Sequence, residues 1–287
     1  MIISKTIGIV GNGFVGSAVR YGFSPNVGVD AEVKVYDKDP NKSTHSLREV
    51  VDSDVVFLSV PTPSNSDGSM NVDIVDSVLE DISKYADLFE VGTILLRSTV
   101  TPGTTRKLQE KYPNLRIVFN PEFLTERSAN FDFINQSRFI LGGSSDDVIE
   151  VSELFRERFG SSLSIIETNY ETAELIKYMT NTFFATKISF LNDMKLLADK
   201  CGVIWDDAVE GFVRDGRVGH SHLNVPGHDG RYGFGGSCFP KDIQALINFG
   251  ESNDVDMSVL KGAWKTNLKV RPEKDWEQLK GRAVVDE

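Results

Sequence analysis

The sequence predicts an α/β fold: a doubly wound parallel sheet, then a long connecting helix and a mostly α-helical second domain. Three observations support this prediction. Short apolar runs alternate with helix-compatible segments over residues 1–168, a glycine motif follows the first apolar run, and residues 170–200 contain neither glycine nor proline. Such alternation is typical of a parallel sheet with helices on both faces.

The first predicted unit is a strand, a tight turn and a helix. In "KTIGIVGNGFVGSAVRYGF" an apolar run precedes Gly11, Gly13 and Gly16. In such a unit the first glycine permits the turn, the second lets a pyrophosphate approach the backbone, and the third lets helix and strand pack closely. With Phe14 and Val15 at the helix start, these residues form a candidate Rossmann-like dinucleotide site.

A second strand in "AEVKVYDKD" ends at Asp37, about 20 residues after the last glycine. An acidic residue there accepts hydrogen bonds from a ribose diol and repels a 2′-phosphate, so NAD is favoured over NADP. Lys38 beside it weighs slightly against that preference. The alternative is a chance glycine turn with a surface Asp.

Further apolar runs end in loops that carry Thr62, Thr99 and Glu122. The runs lie in "SDVVFLSVPTP", "TILLRSTVTPGTT" and "LRIVFNPEFL", with helical or strand-like segments between and after them. Ligands of doubly wound sheets bind at the carboxyl ends of the strands, so these three residues fall where a site is expected. Singly, each would more often be a cap or a solvated group.

A helix is predicted over residues 170–200, because apolar residues recur there at helical spacing. Lys177 and Asn181 are four residues apart and so share one helix face. A solvated lysine is the ordinary interpretation of the pattern alone. We expect a dinucleotide domain over residues 1–168, a connecting helix over 169–200, and a helical domain with a cysteine loop over 201–287.

Cys238 lies in the glycine-rich loop "GFGGSCFPKD", just before a predicted helix with Pro240 in its first turn. A thiol at a helix N-terminus ionises more readily, and Lys241 would favour the thiolate further. Asp242 could act as its base or orient it. Cys201, at the predicted end of the long helix, is expected to be a small packing residue.

Composition excludes several classes of protein. The 287 residues carry a net charge of −11, which argues against nucleic-acid binding, and two cysteines cannot form a disulfide framework. We therefore expect a soluble cytoplasmic protein without a signal peptide. His220, His222 and His228 lack partner ligands at metal-binding spacing, so no metal site is expected.

Taken in order, "GNGFVG", "VPTP", "STVTPGT", "NPEFLTE", "ELIKYMTNTFFATKISFLND" and "GFGGSCFPKD" closely resemble motifs of the UDP-glucose/GDP-mannose dehydrogenase family. The resemblance spans nearly the whole chain. It implies oxidation of a sugar C6 alcohol to a carboxylate with two NAD per turnover. Oxidation of UDP-glucose to UDP-glucuronate, a polysaccharide precursor, is the implied reaction.

The resemblance implies a role for each matching residue. Cys238 would attack the C6 aldehyde to give a thiohemiacetal, which a second hydride transfer turns into a thioester. Lys177 and Asn181 would stabilise the oxyanion. The family's Arg at the position of Arg217 reaches the sugar of a neighbouring subunit, which implies a homodimer with the long helix at its core.

Hydrolysis of the thioester would use further residues. Asp242 and Thr99 would hold or activate water, and Glu122 would be the general base. The implied cofactor contacts are Gly11, Gly13, Phe14, Val15, Gly16, Asp37, Thr62, Thr99 and Glu126, the last close to the nicotinamide. The implied substrate contacts are Glu122, Phe123, Leu124, Lys177, Asn181, Arg217, Phe234 and Gly235.

The sequence departs from the family pattern at its end. Family members carry a third, nucleotide-covering domain, and this sequence stops at "LKGRAVVDE", where the first strand of that domain would begin. We therefore expect part of the nucleotide site to be missing or supplied otherwise. The alternatives are a GDP-mannose or UDP-N-acetyl-sugar dehydrogenase, a non-catalytic binding homologue, and a two-domain dehydrogenase of a small hydroxy acid.

Overall fold

The computed structural model describes residues 1–286, and within them seven strands form one sheet in the order β2-β1-β3-β4-β5-β6-β7. The strands are β1 (Ile7–Val10), β2 (Val33–Tyr36), β3 (Val55–Leu58), β4 (Thr93–Leu96), β5 (Ile117–Phe119), β6 (Arg138–Gly142) and β7 (Ser164–Thr168). The helices are α1 (Phe14–Gly22), α2 (Leu47–Val51), α3 (Asp73–Ala86), α4 (Thr104–Lys111), α5 (Ala129–Ile134), α6 (Ser145–Phe159), α7 (Tyr170–Cys201), α8 (Trp205–Val213), α9 (Phe239–Glu251) and α10 (Ser258–Val270).

The predicted sheet is confirmed, with one difference in strand direction. The pairings from β2 to β5 and between β6 and β7 are parallel, whereas β5 and β6 pair antiparallel through Phe119 and Gly142. The chain between these two strands forms a loop and the short helix α5, which packs on α1. Apolar periodicity does not record strand direction, so the sequence pattern could not reveal this reversal.

Both faces of the sheet are covered by helices, as in a doubly wound fold. Alternate residues of a strand point to opposite faces. Accordingly Ile9 and Phe57 belong to one apolar cluster, whereas Val10 and Leu58 belong to another. Burial on both faces explains why the strands are continuous apolar runs.

The chain divides into two compact units. The first comprises Met1–Thr62 and Val72–Lys177, and the second comprises Pro63–Asn71 and the chain from Tyr178 onward. In the second unit α7, α9 and α10 pack around a core that includes Tyr178, Phe234 and Ile243. The predicted domain boundaries at 168 and 200 stay a prediction.

The long helix and the glycine-rich loop match the sequence expectations. Helix α7 runs without interruption from Tyr170 to Cys201, and residues 214–237 form no helix or strand. None of the helices within residues 1–286 is long and apolar enough to span a membrane.

Candidate active site

The glycines after β1 have the geometry that the sequence motif predicts. Gly11 has φ +90°, and a Cβ on it would lie 2.3 Å from the carbonyl oxygen of Ser59. A Cβ on Gly16 would lie 2.0 Å from the carbonyl oxygen of Gly11, so only glycine allows helix and turn to pack this closely. Gly13 is exposed, and a Cβ there would meet no atom within 4 Å.

The start of α1 suits a phosphate group. Gly13 is its N-cap and offers no side chain to the first helical amides. Such amides, together with the helix dipole, attract phosphate oxygens. The open backbone at Gly13 and these amides fit the pyrophosphate of a dinucleotide.

Asp37 follows β2 and is held against the glycine turn. Its Oδ2 accepts a 2.7 Å hydrogen bond from the amide of Asn12, and its Oδ1 accepts a 2.9 Å bond from the amide of Asp39. Each carboxylate oxygen has two acceptor positions, so both can still accept a ribose hydroxyl. The half-buried carboxylate therefore fits the predicted ribose contact.

A cavity of about 320 Å³ lies beside the start of α1. Phe14 and Ser17 of α1 form one wall, and residues 126–131 form the other. The structure thus brings together Phe14 and Glu126, two residues predicted to contact the cofactor from separate motifs.

The strand ends that carry Thr62, Thr99 and Glu122 are tied together by side chains. The Ser98 hydroxyl donates to the carbonyl of Val60 at 2.7 Å and accepts from its amide at 3.0 Å. This pairing links the ends of β3 and β4. Thr62 and Glu122 are buried, and Thr99 is half-buried.

Arg97 and Asn120 link the next strand ends, and the sequence analysis missed both. The Arg97 guanidinium donates to the Asn120 side-chain oxygen, while the Asn120 amide donates to the carbonyl of Ile140 at 2.9 Å. Asn120 precedes Glu122 by two residues, so these bonds fix the start of its loop. The available signal was a polar residue directly after a buried apolar run, as in "TILLR".

Arg97 is a fully buried cation. Its Cζ lies 5.9 Å from the ring centroid of Phe57 and 5.7 Å from that of Phe133. Burial lowers the pKa of Arg97 to about 10, and the negative charge of Glu122 opposes that shift. The guanidinium therefore stays charged at neutral pH.

Lys177 is buried and bonded to Glu122, so the ordinary interpretation of a solvated lysine is wrong. Its Nζ lies 3.0 Å from Oε1 of Glu122 and also donates to the backbone carbonyl of that residue. The other carboxylate oxygen accepts a 2.7 Å bond from the Leu124 amide. The ring of Phe123 lies 5.4 Å from Nζ, within cation–π range.

In the second unit Asp242 is the centre of a buried polar group. The Asn181 amide donates to its Oδ2 at 2.6 Å, and Lys241 Nζ donates to its Oδ1 at 2.7 Å. All three side chains are buried. Lys241, the cation expected to favour the Cys238 thiolate, is thus bonded to the carboxylate of Asp242.

Cys238 is the N-cap residue of α9, and Pro240 lies in the first turn, as predicted. Its carbonyl accepts a 2.8 Å bond from the Asp242 amide, and its Sγ lies 3.8 Å from the hydroxyl of Ser237. The thiol is half-buried. Cys201 is exposed at the end of α7, so the expectation of a packing role was wrong.

The glycines before Cys238 are fixed by Asn267 of α10 and by Arg271, which directly follows that helix. Asn267 and Phe234 exchange two hydrogen bonds of 2.7 and 3.0 Å. A Cβ on Gly233 would lie 2.4 Å from the Asn267 side-chain oxygen, and one on Gly235 would lie 2.5 Å from the Arg271 guanidinium. Asn267 and Arg271, which were not predicted as site residues, therefore shape the backbone that carries Cys238.

Arg217 lies at the surface and pairs with Asp215, its guanidinium Nε 2.9 Å from Oδ1. His222 stacks on Phe184 with ring centroids 4.1 Å apart. Burial lowers the pKa of His222. Within residues 1–286 no group of three or more His, Cys, Asp or Glu side chains is arranged to hold a metal ion.

Two domain matches decide the family. Residues 34–159 match the NAD binding domain of the UDP-glucose/GDP-mannose dehydrogenase family, and residues 171–269 match its central domain. The chain belongs to this family. The resemblance drawn from the sequence motifs is confirmed, as is the NAD cofactor.

Individual relatives agree with this assignment. The UDP-glucose 6-dehydrogenase of Rickettsia prowazekii is 36% identical over 224 residues, which cover 76% of this chain and 50% of that protein. Among solved structures, a UDP-glucose dehydrogenase from Pyrobaculum islandicum has a TM-score of 0.81 at 28% identity, covering 92% of this chain and 68% of that one. A GDP-mannose dehydrogenase from Pseudomonas aeruginosa has a TM-score of 0.66 at 26% identity, covering the same shares.

This chain spans about half the length of the curated dehydrogenase that it matches. What the family establishes here is a NAD binding dehydrogenase fold with the central domain of nucleotide-sugar dehydrogenases.

Proposed function

We propose that the protein catalyses the NAD-dependent, four-electron oxidation of the C6 hydroxyl of UDP-glucose to give UDP-glucuronate. The observation that carries the proposal is Cys238 at the start of α9, one turn before the buried Asp242. A half-buried thiol in a glycine-rich loop suits a nucleophile better than a packing residue. The identity to a UDP-glucose 6-dehydrogenase supports the choice of substrate.

Cys238 would hold the substrate between two oxidations. Loss of a hydride and a proton from the C6 alcohol gives an aldehyde. The Cys238 thiolate adds to its carbon and the oxygen takes up a proton, which gives a thiohemiacetal; loss of a second hydride and that proton gives a thioester. Water then cleaves the C–S bond and releases the carboxylate and the thiol.

Further residues would assist these steps. Lys177 and Asn181 would donate hydrogen bonds to the oxygen on C6, each contributing about 10²-fold or more to the rate. Glu122, Thr99 and Asp242 would position and activate the hydrolytic water. Because the Lys177 ammonium is bonded to Glu122, a proton could pass between them.

NAD, when bound, supplies the acceptor for each hydride. The chain would hold it with the turn at Gly11, Gly13 and Gly16, with Asp37 on a ribose, and with Phe14 and Glu126 beside the cavity. The remaining predicted cofactor contacts are Val15, Thr62 and Thr99. Phe123, Leu124, Phe234, Gly235 and Arg217 would contact the substrate.

A homodimer is part of this proposal. Exposed apolar residues follow one another along α7 at helical spacing: Met179, Phe183, Phe190, Met194 and Leu197. An exposed apolar stripe of this kind is typical of a helix that packs against a partner. With a second copy as that partner, Arg217 would serve the neighbouring subunit.

The test is the stoichiometry of NADH to product across UDP-glucose, GDP-mannose, UDP-N-acetylmannosamine and a small hydroxy acid. We expect two NADH per UDP-glucuronate formed and the highest kcat/KM with UDP-glucose. Faster turnover of GDP-mannose would instead support the alternative of a GDP-mannose dehydrogenase. A ratio of one NADH per product would contradict the four-electron reaction.

Cys238→Ser separates an enzyme from a non-catalytic binding homologue. We expect this variant to lose formation of the acid product, whereas Cys201→Ser, which changes the other cysteine, keeps it. No NADH formation by the wild-type protein with any nucleotide sugar would favour the binding homologue.

A further inference from the structure

Helix α4 begins without a capping side chain of its own. Its N-cap residue is Gly103, which has φ +88° and cannot supply a side-chain acceptor. The first amides of a helix need acceptors, which Ser, Thr, Asp or Asn usually provides at the N-cap. The acceptor must therefore come from elsewhere in the chain.

Glu174 of α7 supplies it. Its Oε2 accepts the Gly103 amide at 2.6 Å, and its Oε1 accepts the Thr105 amide at 2.7 Å. The side chain is fully buried. A carboxylate at a helix N-terminus interacts favourably with the helix dipole, and hydrogen bonds to an ionised acceptor are the strong ones.

Glu174 and Lys177 are three residues apart on α7, so they lie on one helix face. Lys177 bonds to Glu122 in the loop after β5, while Glu174 bonds to the loop after β4. That second loop also carries Thr99, four residues before Gly103. One turn of α7 thus fixes two strand-end loops of the first unit.

We propose that Glu174 is a positioning residue for the cofactor: by accepting the amides of Gly103 and Thr105 it holds the loop of residues 99–105 in the conformation that binds NAD. The role of this loop in cofactor binding rests on the proposed function of Thr99. Glu174 itself touches neither substrate nor cofactor in this proposal.

The test is Glu174→Gln, with Glu171→Gln as its matched control. The glutamine keeps the size and one acceptor but turns an NH₂ group toward the second amide. Glu171 lies on the same helix and bonds to Arg106 at the surface, so its replacement leaves the loop untouched. Amide hydrogen exchange of peptides covering residues 99–105 and NADH fluorescence titration are measured at pH 8, where both glutamates are ionised.

For Glu174→Gln we expect faster amide exchange in these peptides and about tenfold weaker NADH binding. A change of this size corresponds to the loss of one charge-assisted hydrogen bond. Glu171→Gln should behave as the wild type in both measurements. Unchanged exchange in the Glu174→Gln protein would overturn the proposal. Faster exchange with unchanged NADH affinity would also overturn it, because Glu174 would then be only a structural cap of α4.

A second variant covers the case in which Glu174→Gln does not fold. Glu174→Asp keeps the charge but is one methylene shorter, so it cannot reach both amides, and we expect a smaller change in the same direction. Neither measurement uses a sugar substrate. Failure of the proposed sugar oxidation would therefore appear as a wild-type protein that binds NADH normally and turns over no nucleotide sugar.

Discussion

The Nζ atom of Lys177 lies 3.0 Å from Oε1 of Glu122, and the two side chains are only 3% and 8% exposed. Removing one partner of a buried ion pair leaves an uncompensated charge. We therefore expect Lys177→Met to lower the free energy of unfolding by about 3–5 kcal/mol. The double variant Lys177→Met/Glu122→Gln removes both charges and should lose less than the single variant. Urea denaturation at pH 7 measures both.

An exposed ion pair is the control for the variants of the buried pair. Lys84 and Asp81 are 2.8 Å apart on α3, with side chains 63% and 55% exposed. Lys84→Met should leave the free energy of unfolding close to the wild-type value, because water and salt screen an exposed ion pair. If the double variant is as unstable as Lys177→Met, the buried charge of Glu122 is not the cause.

Local sequence patterns predicted the parts of the molecule that depend on local chemistry. The glycine turn, the strand that ends before Asp37, the uninterrupted α7 and the position of Cys238 at a helix start all follow from spacing and residue type. Each is set by backbone conformation or by periodic burial within one short segment.

Contacts between distant segments could not be predicted in this way. Arg97 and Asn120 meet across neighbouring strands, and Glu174 caps a helix some 70 residues earlier in the chain. In the sequence Glu174 is an ordinary helical glutamate, because nothing nearby shows that it is buried. The antiparallel β5–β6 pair is likewise fixed by the path of the chain through α5.

The glycine turn allows fold and cofactor binding to be separated. A Cβ at residue 16 would lie 2.0 Å from a backbone oxygen that cannot move aside, so Gly16→Ala should cost about 4 kcal/mol or more of stability. Gly13 has φ −76° and open space around it, so Gly13→Ala should fold normally. Its methyl group would lie where a pyrophosphate approaches, and NADH binding should weaken at least about tenfold.

Thermal unfolding and NADH fluorescence titration of both glycine variants check this. Wild-type NADH affinity in a folded Gly13→Ala protein would contradict the assignment of the turn to the pyrophosphate. Wild-type stability of Gly16→Ala would contradict the close packing of helix on turn.

The proposed dimer depends on the apolar stripe of α7. Phe183 and Phe190 are 64% and 50% exposed. If a second copy covers them, a charged residue at either position would be buried without a partner, which is costly. We expect Phe183→Glu and Phe190→Glu to shift the protein from dimer to monomer in light scattering after size-exclusion chromatography. Val259→Glu, at a 70% exposed residue of α10, should leave the mass unchanged. A monomeric wild-type protein at micromolar concentration would contradict the dimer.

Glu174 also makes a defined contribution to the pH dependence of stability. Burial raises the pKa of this carboxyl from 4.5 to about 7, although the amides of Gly103 and Thr105 favour its ionised form. The folded protein therefore binds a proton more tightly than the unfolded chain between pH 4.5 and about 7. Stability from this group falls as pH rises through that window, by up to about 3 kcal/mol.

Glu174→Gln removes this titration and leaves the others in place. The difference in free energy of unfolding, wild type minus variant, should therefore be more positive at pH 5 than at pH 8. Urea denaturation of both proteins at intervals between pH 5 and pH 8 measures this difference. Glu171→Gln is the control, and its difference in free energy of unfolding from wild type should not fall as pH rises. If the difference in free energy of unfolding between wild type and Glu174→Gln is constant with pH, Glu174 titrates near its ordinary value despite its burial. The two amides at the start of α4 would then offset the cost of desolvating its charge.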